Sequence, residues 1–200
     1  MSGPQDADLS LSELRALITK AARGAGMEWG MAEETGWAAE WLARRGLPAA
    51  DWAAELLAGW NGGAACPVAQ GTALADAVRA GGQGGLSRHV PGGISSPGYL
   101  LPFLHLCLSP GQSLSLHAPA GLAARVGSSG AVALGPAWSS PSGEWALAWG
   151  DAPVPAGVPC GRAQAAAPVL DRLEALALRT TVPPTAASRG DAGSAGADND

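Results

Sequence analysis

The sequence predicts an α+β fold in which an N-terminal helical bundle packs with a mostly antiparallel β-sheet, plus a C-terminal helix and a tail. Two observations predict this class. Apolar residues recur at three- and four-residue steps over residues 9–60, which is typical of amphipathic helices. Short apolar segments separated by Pro-Gly, Ser-Ser-Gly and Ser-Gly turn signals fill residues 99–150, which is typical of antiparallel hairpins.

Length and composition predict one domain. With 200 residues, of which 47% are hydrophobic, the chain can bury a full core without metal or disulfide support. We expect this domain at residues 9–179 and a tail at 180–200. Within the domain we expect a helical half at 9–80, a mobile Gly-rich loop at 81–98, a β half at 99–150 and the C-terminal helix at 168–179.

The first helix has the clearest start signal. Ser10 and Glu13 are spaced as a capping box, in which each side chain satisfies a backbone donor of the other residue. Apolar residues then form one stripe that ends before Gly24. Its members are Leu11, Leu14, Ile18 and Ala21.

The second helix is predicted from near Gly30 to Arg45, because its charges complement a helix dipole. Glu33 and Glu34 fall in its first turn, and its last turn is basic. Two more helices are expected in this half: one that starts after Pro48 and ends near Gly59, and a short one capped by Thr72.

The β half is predicted from short segments that lie between turn signals. The expected strands are Leu100–Leu108, Ser113–His117, Leu122–Val126, Ala131–Leu134 and Trp145–Trp149. Within Ser113–His117, alternation places Leu114 and Leu116 on one face and the polar residues on the other. A final amphipathic helix is expected at Val169–Arg179.

Charge and composition exclude several partners. The net charge is −5, Lys20 is the single lysine, and the arginines are scattered except for the pair Arg44-Arg45, so nucleic acid is not expected as a partner. No segment is apolar for long enough to span a membrane, and no secretory signal is recognisable. The three cysteines are widely spaced and odd in number, which predicts reduced thiols and a cytoplasmic location.

Few residues are arranged for chemistry. His105 and Cys107 would share one face of a strand and could begin a metal site, but no third ligand stands at a usual spacing. We therefore interpret them as a buried pair and expect no metal and no cofactor. A nucleophilic dyad of Cys66 with His89 stays open as an alternative. The Gly-rich segment lacks the strand–loop–helix order of a phosphate-binding loop.

The turn between the first two helices is the densest unusual feature. It presents Arg23, Trp29, Glu33 and Glu34 around three glycines. A functional interpretation makes this turn a contact for a ligand or partner. In a structural interpretation, the two acids interact with the helix dipole, the tryptophan forms a hydrophobic staple and the glycines cap the helices. The residues alone favour this structural interpretation.

This turn, its continuation through Trp37 and Trp41 to Gly46, and the ending resemble a bacterial family of the domain-of-unknown-function series, family 3726. The likeness in the ending is carried by residues 179–183, 188–190 and 198–200, although Thr181 stands where the family has an aromatic residue. The resemblance implies no activity. It does imply that the turn and the tail belong to one site, for binding a ligand or a partner. The expected site residues are Arg23, Trp29, Glu33, Glu34, His89, Ser188, Asp198, Asn199 and Asp200.

Two functions follow from these observations. The first is a non-catalytic small-molecule-binding or accessory subunit of a bacterial metabolic pathway, with a metabolic enzyme or a second copy of this chain as its partner. The second is a small enzyme that uses Glu33 or Glu34 with His89 or His117 for acid–base chemistry on a polar metabolite. Because no reactive cluster is recognisable, the first is favoured.

Overall fold

A computed structural model of the chain describes residues 6–63, 65–81, 89–90, 94, 96–139 and 145–180. Within these residues lie six α-helices and seven strands, and the predicted α+β class is confirmed. The helices are α1 (Leu11–Gly24), α2 (Trp29–Ala43), α3 (Ala49–Ala58), α4 (Pro67–Gly81), α5 (Leu101–Leu106) and α6 (Ala167–Leu178). The strands are β1 (Ala7–Ser10), β2 (His89–Val90), β3 (Ser113–Ala118), β4 (Gly121–Gly127), β5 (Val132–Leu134), β6 (Trp145–Gly150) and β7 (Arg162–Ala165).

The larger sheet has five antiparallel strands in the order β2-β6-β3-β4-β5. The predicted alternation in β3 is confirmed, since Leu114 and Leu116 are fully buried. Ser113 and Ser115, on the opposite face, are buried as well. The Ser113 hydroxyl donates to the Gly150 carbonyl at 3.0 Å, and the Ser115 hydroxyl accepts from Arg125 at 3.1 Å, so both polar groups are satisfied.

A second, two-stranded sheet joins distant parts of the chain. β1 pairs antiparallel with β7, with Ala7 opposite Ala165 and Ser10 opposite Arg162. β1 leads directly into α1, whose predicted capping box is confirmed: the Ser10 hydroxyl accepts from the Glu13 amide, and the Glu13 carboxylate accepts from the Ser10 amide at 2.8 Å. The residues before α1 and before α6 are thereby held side by side.

The predicted strand Leu100–Leu108 is wrong. Residues Pro97–Leu100 form a 3₁₀ turn, and α5 follows. A short apolar segment fits a buried helix as well as a buried strand, and Pro102 decides between them. Proline lacks the amide that a central strand must donate, whereas it is well suited to the first turn of a helix.

Two further details of the helical half differ from the prediction. Thr72 is not a cap but lies inside α4, where its hydroxyl donates to the carbonyls of Val68 and Ala69. α2 begins at Trp29, so Glu33 and Glu34 lie beyond its first turn. Of the predicted loop 81–98, Gly81 closes α4 and His89–Val90 pair with β6, whereas residues 82–88, 91–93 and 95 lie outside the described part.

One cluster of buried apolar side chains runs through both halves. It includes Leu14 of α1, Leu42 of α2, Phe103 of α5, Leu116 of β3 and Leu173 of α6. The boundaries of a single domain at 9–179 stay a prediction. Among the described residues, the helices are too short or too polar for any of them to cross a bilayer.

Candidate functional site

A cleft of about 440 Å³ opens between α1, α2 and α5. Its walls combine three guanidinium groups, one carboxylate, one imidazole and three apolar side chains, a mixture suited to an anionic ligand with an apolar part. We call it the arginine cleft. It is lined by Arg15, Trp37, Glu40, Trp41, Arg44, Arg45, His105 and Leu106.

Two arginines on one side of the cleft share a carboxylate. Arg15 of α1 contacts one Glu40 oxygen at 3.3 Å, and Arg44 contacts the other oxygen at 2.9 Å. Glu40 and Arg44 are four positions apart at the end of α2, so the helix itself aligns them. The two guanidinium side chains are 48% and 51% exposed, so both retain donors that face solvent.

Arg45, which also lines the cleft, is held by contacts with Trp41 and Gly130. Its guanidinium lies over the Trp41 ring, 3.4 Å from the ring centroid, and donates to the carbonyls of Trp41 at 2.7 Å and of Gly130. Burial, followed by repulsion from Arg44, lowers the pKa of Arg45 to about 10, so the group stays charged at neutral pH. These contacts connect the end of α2 to the turn between β4 and β5.

His105 is held in one orientation by two neighbours. Its ring packs on Trp41 with 5.6 Å between centroids, and Nδ1 lies 3.3 Å from the Gly127 carbonyl. Because a carbonyl oxygen only accepts, Nδ1 carries the proton of the neutral ring, and Nε2 is left with a lone pair. Among the described residues no hydrogen bond to Nε2 is present.

His105 is expected to titrate below a free imidazole. Burial lowers its pKa from the ordinary 6.5; the hydrogen bond to Gly127 opposes this, and the charge of Arg45 adds to it. Since the unfolded chain then binds the proton more readily, this residue stabilises the fold above pH 6.5 and loses that contribution as the pH falls through its folded pKa. Histidine NMR titration checks this, and a His105 pKa at or above that of an unfolded peptide would contradict it.

In the turn between α1 and α2, only some of the predicted site residues are in contact with one another. The Arg23 guanidinium lies 5.6 Å from the Trp29 ring centroid and donates to the Met27 carbonyl, which holds it against the turn. Trp29 is 61% exposed, so it does not act as a buried staple. Gly26 has a φ of 95°, which explains a glycine at this position.

The remaining predicted residues are not gathered at this turn by any described contact. Glu33 and Glu34 are exposed on α2, and the described residues offer neither of them an ion pair. His89 belongs to β2, but its side chain is outside the described part. Four predicted site residues lie outside it altogether: Ser188, Asp198, Asn199 and Asp200.

Among the described residues, Cys107 and Cys66 do not have the surroundings of a nucleophile, and the dyad of Cys66 with His89 stays untested because the His89 side chain is outside the described part. Cys107 follows α5, and its thiol donates to the Phe103 carbonyl at 3.3 Å, so the predicted strand face shared with His105 does not exist. Burial raises the pKa of Cys107 to about 11 and also raises that of Cys66, which disfavours the thiolate that a nucleophile needs. No group of three metal-ligating side chains occurs within the residues described.

Sequence reasoning missed the arginine cleft, although some of its signals were readable. The Glu40–Arg44 pair has the spacing of neighbours on one helix face, and Arg44-Arg45 is the one adjacent arginine pair in the chain. The position of His105 in the cleft could not be predicted from the sequence, because it depends on α5 being a helix.

The chain matches one family model, over residues 9–82, and that family is described as "Protein of unknown function (DUF3726)". No significant match was found among curated proteins or among solved structures. The matched residues contain α1 to α4 and thus Arg15, Glu40, Arg44 and Arg45, but neither His105 nor the ending. The predicted resemblance to family 3726 is therefore confirmed for the four N-terminal helices of this chain.

Proposed function

We propose that this protein is a non-catalytic small-molecule-binding subunit, and that its ligand is a small organic acid whose carboxylate is held in the arginine cleft. The observation that carries the proposal is the arrangement of Arg15 and Arg44. Their guanidinium groups contact the two oxygens of one carboxylate, that of Glu40. Arginine recognises carboxylates through its fixed fork of donors. A ligand carboxylate has the same chemistry as the Glu40 side chain.

The volume and lining of the cleft support the same ligand class. About 440 Å³ is within the range of small-molecule pockets, and Trp37 and Leu106 supply apolar surface for the body of a ligand. Trp37 packs edge-on against Phe103, with 5.4 Å between centroids, so this apolar wall is backed by the core. A wall supported in this way needs little rearrangement on binding.

The wider setting is also part of the proposal. We propose that the subunit works in the cytoplasm of a bacterium with a metabolic enzyme or a second copy of itself, and not with nucleic acid. The exposed Trp29, braced by Arg23, supports a partner contact at the turn between α1 and α2. The acid–base alternative is disfavoured, because Glu33, Glu34 and Trp29 are all exposed and form no apolar pocket among the described residues.

Replacing Arg44 by Gln is expected to weaken ligand binding at least about tenfold, since a charge-assisted hydrogen bond is lost. The probes are 3-phenylpropionate, phenyllactate and phenylalanine, each measured by isothermal titration calorimetry. The matched control is Arg172→Gln, which makes the same charge change on an exposed residue of α6, outside the cleft. The proposal fails if the unmodified protein binds none of the three probes, or if Arg44→Gln binds them as the control does.

A further inference from the structure

We propose that the ligand of the arginine cleft is a 2-hydroxy or 2-amino acid with an apolar side chain, in which the carboxylate faces Arg15 and Arg44 and the neighbouring donor faces Nε2 of His105. The inference rests on the proposed function and narrows it to a ligand class. Three sets of lining residues make three different demands on the ligand, and we call these sets the first, second and third wall.

The first wall requires a carboxylate group on the ligand. Arg15 and Arg44 each give one contact to Glu40, yet each guanidinium has five N–H donors, so the pair has donors left over. Arg45 adds a third positive charge behind them. One carboxylate against three guanidinium groups leaves the cleft positive, and a ligand carboxylate brings the charges closer to balance.

The second wall requires a hydrogen-bond donor. The Gly127 carbonyl fixes the Nδ1 proton of His105, so Nε2 is the acceptor of a side chain that lines the cleft. The lowered pKa of His105 keeps the ring neutral at physiological pH and preserves this acceptor. A simple carboxylate offers it no proton, whereas a hydroxyl or an ammonium group does.

The third wall requires an apolar group. Leu106, which follows His105 in α5, is 39% exposed, although large apolar side chains of this protein are mostly buried. It lines the cleft together with Trp37, whose ring is backed by Phe103. An aliphatic or aromatic ligand side chain would remove both surfaces from water.

The three probes differ only in the substituent on the carbon next to the carboxylate. Phenyllactate carries a hydroxyl there, phenylalanine an ammonium group, and 3-phenylpropionate neither. Phenyllactate and 3-phenylpropionate carry the same charge, so this pair isolates the second demand. We expect phenyllactate, phenylalanine or both to bind about fivefold to tenfold more tightly than 3-phenylpropionate, which is the gain from one added hydrogen bond. Tighter binding of phenyllactate would assign the ligand as a 2-hydroxy acid, and tighter binding of phenylalanine would assign it as a 2-amino acid.

His105→Phe retains a ring against Trp41 but removes the acceptor. We expect it to abolish the preference, so that phenyllactate and phenylalanine bind no more tightly than 3-phenylpropionate. Should this variant fail to fold, nitrogen-15 NMR of the three histidines reports the same contact, because the Nε2 resonance of His105 shifts when it accepts a hydrogen bond. Equal binding of all three probes to the unmodified protein, or an Nε2 resonance that does not move when the tightest-binding probe is bound, overturns the inference and leaves the proposed function standing. Binding of none overturns the proposed function itself.

Discussion

Replacing Phe103 by alanine is expected to lower the free energy of unfolding by about 3–5 kcal/mol, the range for removing a fully buried aromatic ring. Phe103 packs against Trp37 of α2, and its ring lies against Gly71 of α4, so one side chain fills the space between three helices. Closing the resulting cavity would require α4 and α5 to approach each other, and α5 is fixed to β4 through His105.

Urea denaturation monitored by circular dichroism measures this loss. Leu178→Ala serves as the control, because that leucine is 66% exposed and its truncation is expected to change stability by less than about 0.5 kcal/mol. A Phe103→Ala protein as stable as the control would mean that α5 does not pack as described.

Gly24→Ala is expected to lower the free energy of unfolding by about 3 kcal/mol, the upper end of the usual range for overpacking, although alanine normally favours a helix. A methyl group at this position would collide with the backbone carbonyl of Leu176, where α1 crosses α6. The Leu176 carbonyl belongs to the backbone and cannot rotate away as a side chain can. α1 and α6 must therefore move apart, and the packing between them is lost. Thermal unfolding should show the effect as a marked fall in Tm.

The matched control for Gly24 is Gly30→Ala in the first turn of α2. A Cβ atom at Gly30 meets nothing within 4 Å, so the same chemical change is free of collision there. It should leave stability unchanged or raise it by up to about 1 kcal/mol through helix propensity. If both variants behave alike, the close approach of α1 to α6 is refuted.

Local signals predicted the parts of the fold that depend on local physics. The capping box at Ser10 and the apolar stripe of α1 need only neighbours within a few turns, and both were readable. α5 was mistaken for a strand, because a short and mostly apolar segment satisfies either period. The β1–β7 pair was not predicted, since its partners are short and far apart in sequence.

The candidate site was harder to predict than the fold, for the same reason. Glu40 and Arg44 form a recognisable pair, but Arg15 joins them only because α1 packs beside α2. His105 joins only because α5 ends next to β4. The arginine cleft is thus a product of tertiary packing, whereas the turn at Trp29 stood out in the sequence because its residues are contiguous.

The pairing of β1 with β7 has a consequence for biosynthesis. Asp8 and Arg162, which form an ion pair across it, are 154 positions apart along the chain. At translation rates of about 5–20 residues per second, the nascent β1 waits roughly 8–30 s before its partner is made. The flank of α1 that later packs on α6 stays uncovered for the same interval, so the newly made N-terminal helices are a natural client for chaperones until α6 leaves the ribosome.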